Sequence, residues 1–254
     1  MGKEIKMKSR ISGNNNYNLT TDSEPKKDVT YSKVLENKPV EIVLEPTPEF
    51  DIRKCCLVSF ADTIHELFKI DQLKREIPKY WKGQAMFFDH YSQIAPNEPH
   101  IRHDQDYKLL SVLKAFEKGY TQIIYVEPTA VIQKDLLPLF EFLNENVTIF
   151  QATGKTIGEV SNDDNLRTFN LSREDALQLN LLRSDMFGID LGFDLSKQMF
   201  EFFCYASKEN KIIGEGVQFD AVLSIISQKV GMAQVRVDEW IASEKNDKCY
   251  FTIK

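Results

Sequence analysis

The chain has 254 residues and a formal net charge of −6, from 32 Lys and Arg against 38 Asp and Glu. Its 42% hydrophobic and 28% charged residues are those of an ordinary globular chain, long enough to bury a core without a disulfide or metal staple. The missing basic surplus argues against broad electrostatic binding to nucleic acid or anionic lipid, and no run approaches the ~20 apolar residues of a membrane span.

The N-terminus has no apolar stretch of the secretory type, and Lys6 stands where a myristoylation signal wants Ser or Thr. Cys55, Cys56, Cys204 and Cys249 match neither a disulfide framework nor a zinc spacing. The expectation is a reduced, cytoplasmic protein. Residues 1–50 carry eight Lys/Arg and eight Asp/Glu, so the whole net charge lies in residues 51–254. Only Phe50 of the 17 phenylalanines falls in this segment. It is read as a polar tail or loosely docked segment, with about 1–38 flexible. Val40 to Leu44 is expected to form an edge strand before Pro46 and Pro48. Residues 51–254 are expected to form a single α/β domain.

From Cys55 onward short apolar strands alternate with helical periodicity. Cys55 to Phe60 is a continuous apolar run, as expected of a central parallel strand. Asp62 can cap a helix with the apolar stripe Ile64, Leu67, Phe68, Leu73 and Ile77, stopped by Pro78. Ala85 to Phe88 is a second strand. The next helix starts near Asp106, buries Leu109, Leu110, Leu113 and Phe116, and stops at Gly119. Thr121 to Val126 is a third strand. Asp135 caps a helix with Pro138 in its tolerated first turn. Val147 to Gln151 is another strand, and Ser172 to Asp175 resembles a capping box opening a helix through Leu182. Met186 to Leu195 reads as a strand, followed by a helix capped by Ser196, a helix over about Val217 to Gln228 and a strand over Ala233 to Val237. Such alternation indicates a three-layer α/β/α domain on a mostly parallel twisted sheet. Ligands of such sheets bind beyond the C-terminal strand ends, which points to Asp62, to Asp89 with His90, and to Glu127-Pro128-Thr129.

The most informative stretch starts with a helix opening Tyr107-Lys108-Leu109-Leu110. It continues through the strand Ile123-Ile124-Tyr125-Val126-Glu127-Pro128-Thr129 to a second helix with Pro138-Leu139-Phe140. It resembles the nucleotide-sugar-binding core of GT-A-type glycosyltransferases, where a Tyr-Lys or Lys-Pro helix precedes an apolar–Asp-x-Asp–apolar strand. Val58-Ser59-Phe60-Ala61-Asp62 is similar to that family's first strand. Asp190-Leu191-Gly192-Phe193-Asp194-Leu195-Ser196 is similar to its acceptor-side Asn-x-Gly-x-apolar-x-Ser strand. Gly216-Val217-Gln218-Phe219-Asp220 stands where the family often opens a late helix with a Gln/Asp pair. The resemblance covers about residues 54–238, in pattern and order rather than identity.

It implies a GT-A-like, Rossmann-related fold and an enzyme that moves a sugar from a nucleotide-sugar donor to a saccharide or other hydroxyl acceptor. Phe60, Asp62, Lys108, Glu127 and Thr129 would then border the donor, and Gly192 and Gln218 the acceptor. A divalent cation, Mn or Mg, would be held by Glu127. In the Asp-x-Asp motif two alternating carboxylates hold the ion that neutralises the leaving diphosphate. The pair in this chain is Glu127 and Thr129, with one carboxylate. Either the ion is weakly bound, or cationic side chains replace it, or catalysis has been lost. Lys108, Arg102 and His103 are candidates for phosphate contact at the helix start, against the blander reading of a solvated lysine.

An acceptor hydroxyl must lose its proton as it attacks. Asp185, Asp190 and Asp194 are candidates for that base, at least two of them structural. Asp190 and Asp220 are taken as the catalytic pair, although a helix start favours Asp220 on dipole grounds alone. Phe200, Phe202 and Phe203 read as core, and Trp81 and Trp240 as candidate sugar platforms. His100 and His103 read as an exposed loop pair rather than ligands. The alternatives are a GT-A-like scaffold that binds or assembles without catalysis, and an unrelated nucleotide-binding domain. The latter lacks its glycine-rich signatures.

Overall fold

A computed structural model describes residues 10–11, 42–43, 49–61, 63–95, 106–208, 219–229, 240–242 and 249–253. Strands β1 (Arg10–Ile11) and β2 (Ile42–Val43) form a two-residue antiparallel ladder. Apart from Glu49 and Phe50, the rest of the predicted tail lies outside the described residues, as does the strand expected over 233–237.

β3 (Cys55–Phe60) is buried along its whole length, Ser59 included, as its largely apolar run requires. It pairs in parallel with β4 (Gln84–Phe88) on one side and with β5 (Gln122–Val126) on the other. Between them run α1 (Ile64–Tyr80), the single turn α2 (Tyr91–Ile94) and α3 (Asp106–Glu117). The chain thus steps from β3 to one neighbour and then returns to the other, which opens a crevice at the C-terminal ends of β3 and β5. Past β5 come β6 (Ala130–Ile132), α4 (Leu137–Asn146), β7 (Thr148–Ile149) and β8 (Ala152–Thr156). The short helices α5 (Ile157–Val160), α6 (Asp163–Thr168) and α7 (Arg173–Ala176) lead to β9 (Asn180–Leu182), which pairs with β8. β10 (Met186–Asp190) then enters the main sheet between β5 and β7, antiparallel to both. The sheet order is β4-β3-β5-β10-β7; every strand except β10 runs in one direction. α8 (Asp194–Lys208) and α9 (Phe219–Lys229) follow, and β11 (Ile241–Ala242) and β12 (Phe251–Ile253) join β6 in a small second sheet.

Two apolar clusters cover the faces of the main sheet. Alternate residues Cys56, Val58, Phe60, Ile123 and Tyr125 meet Leu109, Val112 and Ala115 of α3 and Val222 and Ile226 of α9. Cys55, Leu57, Ile124 and Val126 meet Leu73 and Ile77 of α1, Leu139, Phe140 and Leu143 of α4, and Phe251 of the small sheet. Period-two alternation on a strand covered by helices on both sides gives the three layers.

Several local expectations are corrected. α1 is capped by Thr63 in a reciprocal capping box with Glu66, and Asp62 lies outside the described residues. Its buried stripe is Ile70, Leu73 and Ile77; Ile64 and Phe68 are 76% and 72% exposed. The helix passes Pro78 and ends at Tyr80, because a proline in the last turn forfeits one bond rather than breaking a long interior run. The helix expected from Ser172 through Leu182 ends at Ala176. Ser172 caps it by accepting from the Asp175 N–H, and the following chain is drawn into β9. There the Asn180 and Leu182 N–H groups donate to Gln228 and Ser224 of α9. α8 starts at Asp194, so Ser196 lies in its first turn rather than at its cap. Trp81 and Trp240 are buried: Trp81 stacks on Phe140 at 4.2 Å and Trp240 packs on Phe142 and Tyr250. Neither offers a face to a sugar.

Candidate active site

The crevice at the ends of β3 and β5 is built from several elements. β5 ends at Glu127, and a tight turn closed by the Ala130 N–H on the Glu127 carbonyl carries Pro128 and Thr129 into β6. β3 ends at Phe60, whose buried ring stacks on Tyr107 of α3 at 4.8 Å. The head of β10 reaches the same place from the opposite direction, and the Glu127 N–H donates to the Asp185 carbonyl at 2.8 Å. The first turn of α9 brings Asp220.

Between these elements lies an open cavity of about 450 Å³ lined by Lys108, Thr153, Arg183, Ser184, Asp185 and Asp220. Lys108 is 4% exposed, so it is not the solvated lysine of the blander reading. Its ammonium lies 2.6 Å from Glu127 Oε1 and donates to Ser184 Oγ at 2.9 Å. The rings of Tyr107, Tyr125 and Phe219 surround it with centroids 6.0, 5.8 and 5.8 Å away. Arg183 is held by Asp185, its Nε 3.0 Å from both carboxylate oxygens and its Nη2 donating to Oδ2.

Burial pushes the Glu127 carboxyl above its ordinary value although Lys108 pulls the other way. Burial likewise raises Asp220, opposed by its hydrogen bond with Ser184 and by Lys108. Desolvation disfavours the charged form, so both carboxylates are more basic than exposed ones. The Lys108 ammonium, the Arg183 guanidinium and the Asp185 and Asp220 carboxylates around one cavity can bind a polyanion with hydroxyl groups and accept a proton from it.

The structure thus brings Phe60, Lys108, Glu127, Thr129 and Asp220 to one end of the sheet. Asp62 and Gln218 lie outside the described residues, as do Arg102 and His103. Asp190 and Gly192 are not brought there. Asp190 pairs with Gln122, the first residue of β5, at the opposite end of the sheet. It is 3% exposed, and accepts from the Gly192 N–H at 2.8 Å and from Gln122 Nε2 at 3.3 Å. A Cβ on Gly192 would stand 2.9 Å from Asp190 Oδ1, so this glycine permits a turn. Because β10 is antiparallel, its N-terminal end faces the crevice. Asp185 is therefore the site carboxylate among the three candidates, and Asp194 starts α8 with a largely exposed side chain. Thr153, Arg183 and Ser184 were missed by sequence reasoning. The signal for the last two was the charged Arg183-x-Asp185 pair heading a buried run.

The fold family implies a divalent cation at the end of β5, and the residues placed there do not fit one. The Glu127 carboxylate is taken by an ammonium, Thr129 adds only a neutral oxygen, and the described residues hold no group of three or more His, Cys, Asp or Glu placed to bind a metal.

No protein-family profile and no curated protein sequence matches the chain. Solved structures do. The bifunctional glycosyltransferase WbbM matches with a TM-score of 0.50 and 13% identity, over 80% of this chain and 42% of that one. A glycosyltransferase involved in glycosylating the major capsid of PBCV-1 matches with a TM-score of 0.49 and 8% identity, over 78% and 92%. Mouse xyloside xylosyltransferase 1 matches at 0.44 and 10%, over 76% of each chain. The fold is that of the GT-A glycosyltransferases, with a mixed central sheet. Among the described residues no helix is long and apolar enough to cross a membrane.

Proposed function

We propose that the protein is a glycosyltransferase that moves a sugar from a nucleotide-sugar donor to a saccharide or other hydroxyl acceptor. The observation that carries this reading is the position of the polar cavity. It lies at the switch point of a GT-A-type sheet, where Glu127, Lys108, Arg183, Asp185 and Asp220 converge. In this reading the donor's diphosphate lies at the end of β5, and the acceptor hydroxyl approaches from the side of Asp220. The acceptor oxygen bonds to the anomeric carbon, the bond from that carbon to the phosphate oxygen breaks, and the nucleoside diphosphate leaves with the electron pair. The acceptor's proton passes to Asp220. Asp220 suits that role better than Asp185, whose lone pairs are occupied by Arg183, because a desolvated carboxylate is the stronger base.

The test is a thermal-unfolding titration with UDP-, GDP- and CDP-sugars, followed by an assay for released nucleoside diphosphate with hydroxyl acceptors. A ligand at about 100 times its dissociation constant adds about 2.7 kcal/mol of stability. If none of the nucleotides moves the midpoint, this reading fails. The lone carboxylate at the end of β5 and its pairing with Lys108 favour a second reading, a GT-A-like binding or assembly protein without catalysis. Binding without turnover on any acceptor would support it.

A further inference from the structure

We propose that the site works without a divalent cation, and that the Lys108 ammonium is the fixed positive charge facing the donor's diphosphate. The inference rests on the glycosyl-transfer reading and goes beyond it in naming what neutralises the leaving group. A divalent cation bonds carboxylate oxygens at about 2.0–2.6 Å. The ammonium of Lys108 is already 2.6 Å from Glu127 Oε1, so an ion on that oxygen would meet a like charge at contact distance.

The lysine cannot simply swing away. It comes from the first turn of α3, its ammonium is bound to Ser184 Oγ at 2.9 Å and reaches the Ser184 carbonyl at 3.3 Å. Tyr107, Tyr125 and Phe219 wall it in, with ring faces that attract an ammonium. The same ammonium lines the cavity, where Arg183 adds a second cation. Glu127 and Ser184 therefore act as positioning residues: they hold a cation in place before the ligand arrives, so little ordering is needed on binding. In a site with an Asp-x-Asp motif two carboxylates would gather an ion. In this one the surviving carboxylate holds a lysine.

The experiment is calorimetric titration of the EDTA-treated protein with UDP, GDP and CDP, repeated with manganese, together with electron paramagnetic resonance of manganese alone. The expected result is a nucleoside diphosphate that binds with the same affinity, within about twofold, in chelator and in manganese, and no protein-bound manganese. Lys108→Ala should weaken that binding at least tenfold. Because this change leaves Glu127 buried without its counter-charge, the double variant Lys108→Met, Glu127→Gln is read beside it, with circular dichroism to establish the fold. The double variant should be folded and should bind tenfold or more weakly. A nucleotide that binds only with manganese, or a folded double variant that binds like the wild type, overturns the inference and leaves the transferase reading standing. Failure of every nucleotide in both conditions overturns both.

Discussion

At the scale of single residues, the site is a set of ionisable groups whose neighbours decide their charge. Asp220 is held above its ordinary value of 3.8 chiefly by burial. The folded protein therefore binds this proton more tightly than the unfolded chain does. The stabilisation linked to that proton is fully present below the unfolded value and is lost as pH rises through the higher folded one. At neutral pH, above the unfolded value, the partly desolvated Asp220 therefore costs stability. Asp220→Asn should accordingly raise the unfolding midpoint near pH 7, and the gain should shrink towards zero as the pH is lowered to about 4. Thermal melts of both proteins across that range check it, and a gain that grows on acidification would refute it. On the transferase reading the same variant loses about 10²–10⁴-fold in turnover, the usual worth of a general base. Asp220, Lys108 and Glu127 were legible as candidates because strand ends and helix starts are marked by sequence pattern. Their pairing was not, since a lysine at a helix start reads the same whether it faces water or a carboxylate 19 positions on. Asp190 attracted attention as an acid in a Gly-containing motif, but an acid bound to a nearby N–H and a buried glutamine is a structural one.

At the scale of elements, strands were more legible than their directions. β3, β5 and α3 lie within a residue or two of the expected bounds, because each has an unbroken apolar run or a clear 3.6-residue period and α3 has Gly119, at φ +95°, to end it. β10 was expected as a strand, but an apolar run carries no sign of which way it runs. A mostly parallel sheet directs attention to the C-terminal strand ends, and for one antiparallel strand that rule names the wrong end. Asp190 and Gly192 were chosen on their likeness to an acceptor-side motif, and the antiparallel run of β10 puts them at the far end of the sheet from Arg183-Ser184-Asp185. The exposed Ile64 and Phe68 have a similar origin, since period alone cannot say which of two partly apolar helix faces meets the sheet. β10 also contains a glycine with a packing reason. Gly188 pairs with Ile124 on one side and Ile149 on the other. A Cβ at this position would stand 3.1 Å from Ile149 side-chain atoms and 3.3 Å from Ile124 Cγ1. Gly188→Val should destabilise the protein by about 1–3 kcal/mol, the usual cost of overpacking. Urea unfolding with an unchanged slope would measure it, and a neutral effect would mean that the layer between β10 and α4 has room to give.

At the scale of the molecule, three layers and a net charge of −6 set the conditions under which any polyanion reaches the crevice. The first 50 residues are charge-balanced, so the excess negative charge belongs to residues 51–254, and on the transferase reading a nucleotide sugar, itself carrying about two negative charges, would approach an acidic body. Composition alone made that legible. It could not locate the two cations, Lys108 and Arg183, that the fold assembles from α3 and the head of β10. These cations act at contact range, where Glu127 and Asp185 hold them, whereas the overall charge acts over the screening length, about 30 Å at 0.01 M salt and about 8 Å at 0.15 M. With each cation locally balanced, the long-range field remains repulsive. Raising the salt from about 0.01 to 0.15 M should therefore increase the association rate constant of a nucleoside diphosphate while changing its dissociation rate less. Most charge-steered complexes behave in the opposite way, their association slowing as salt rises. Stopped-flow binding at several ionic strengths reads this directly. An association rate that falls with salt would mean that Lys108 and Arg183 project a positive field past their carboxylate partners, and that the cavity steers its ligand as well as holding it.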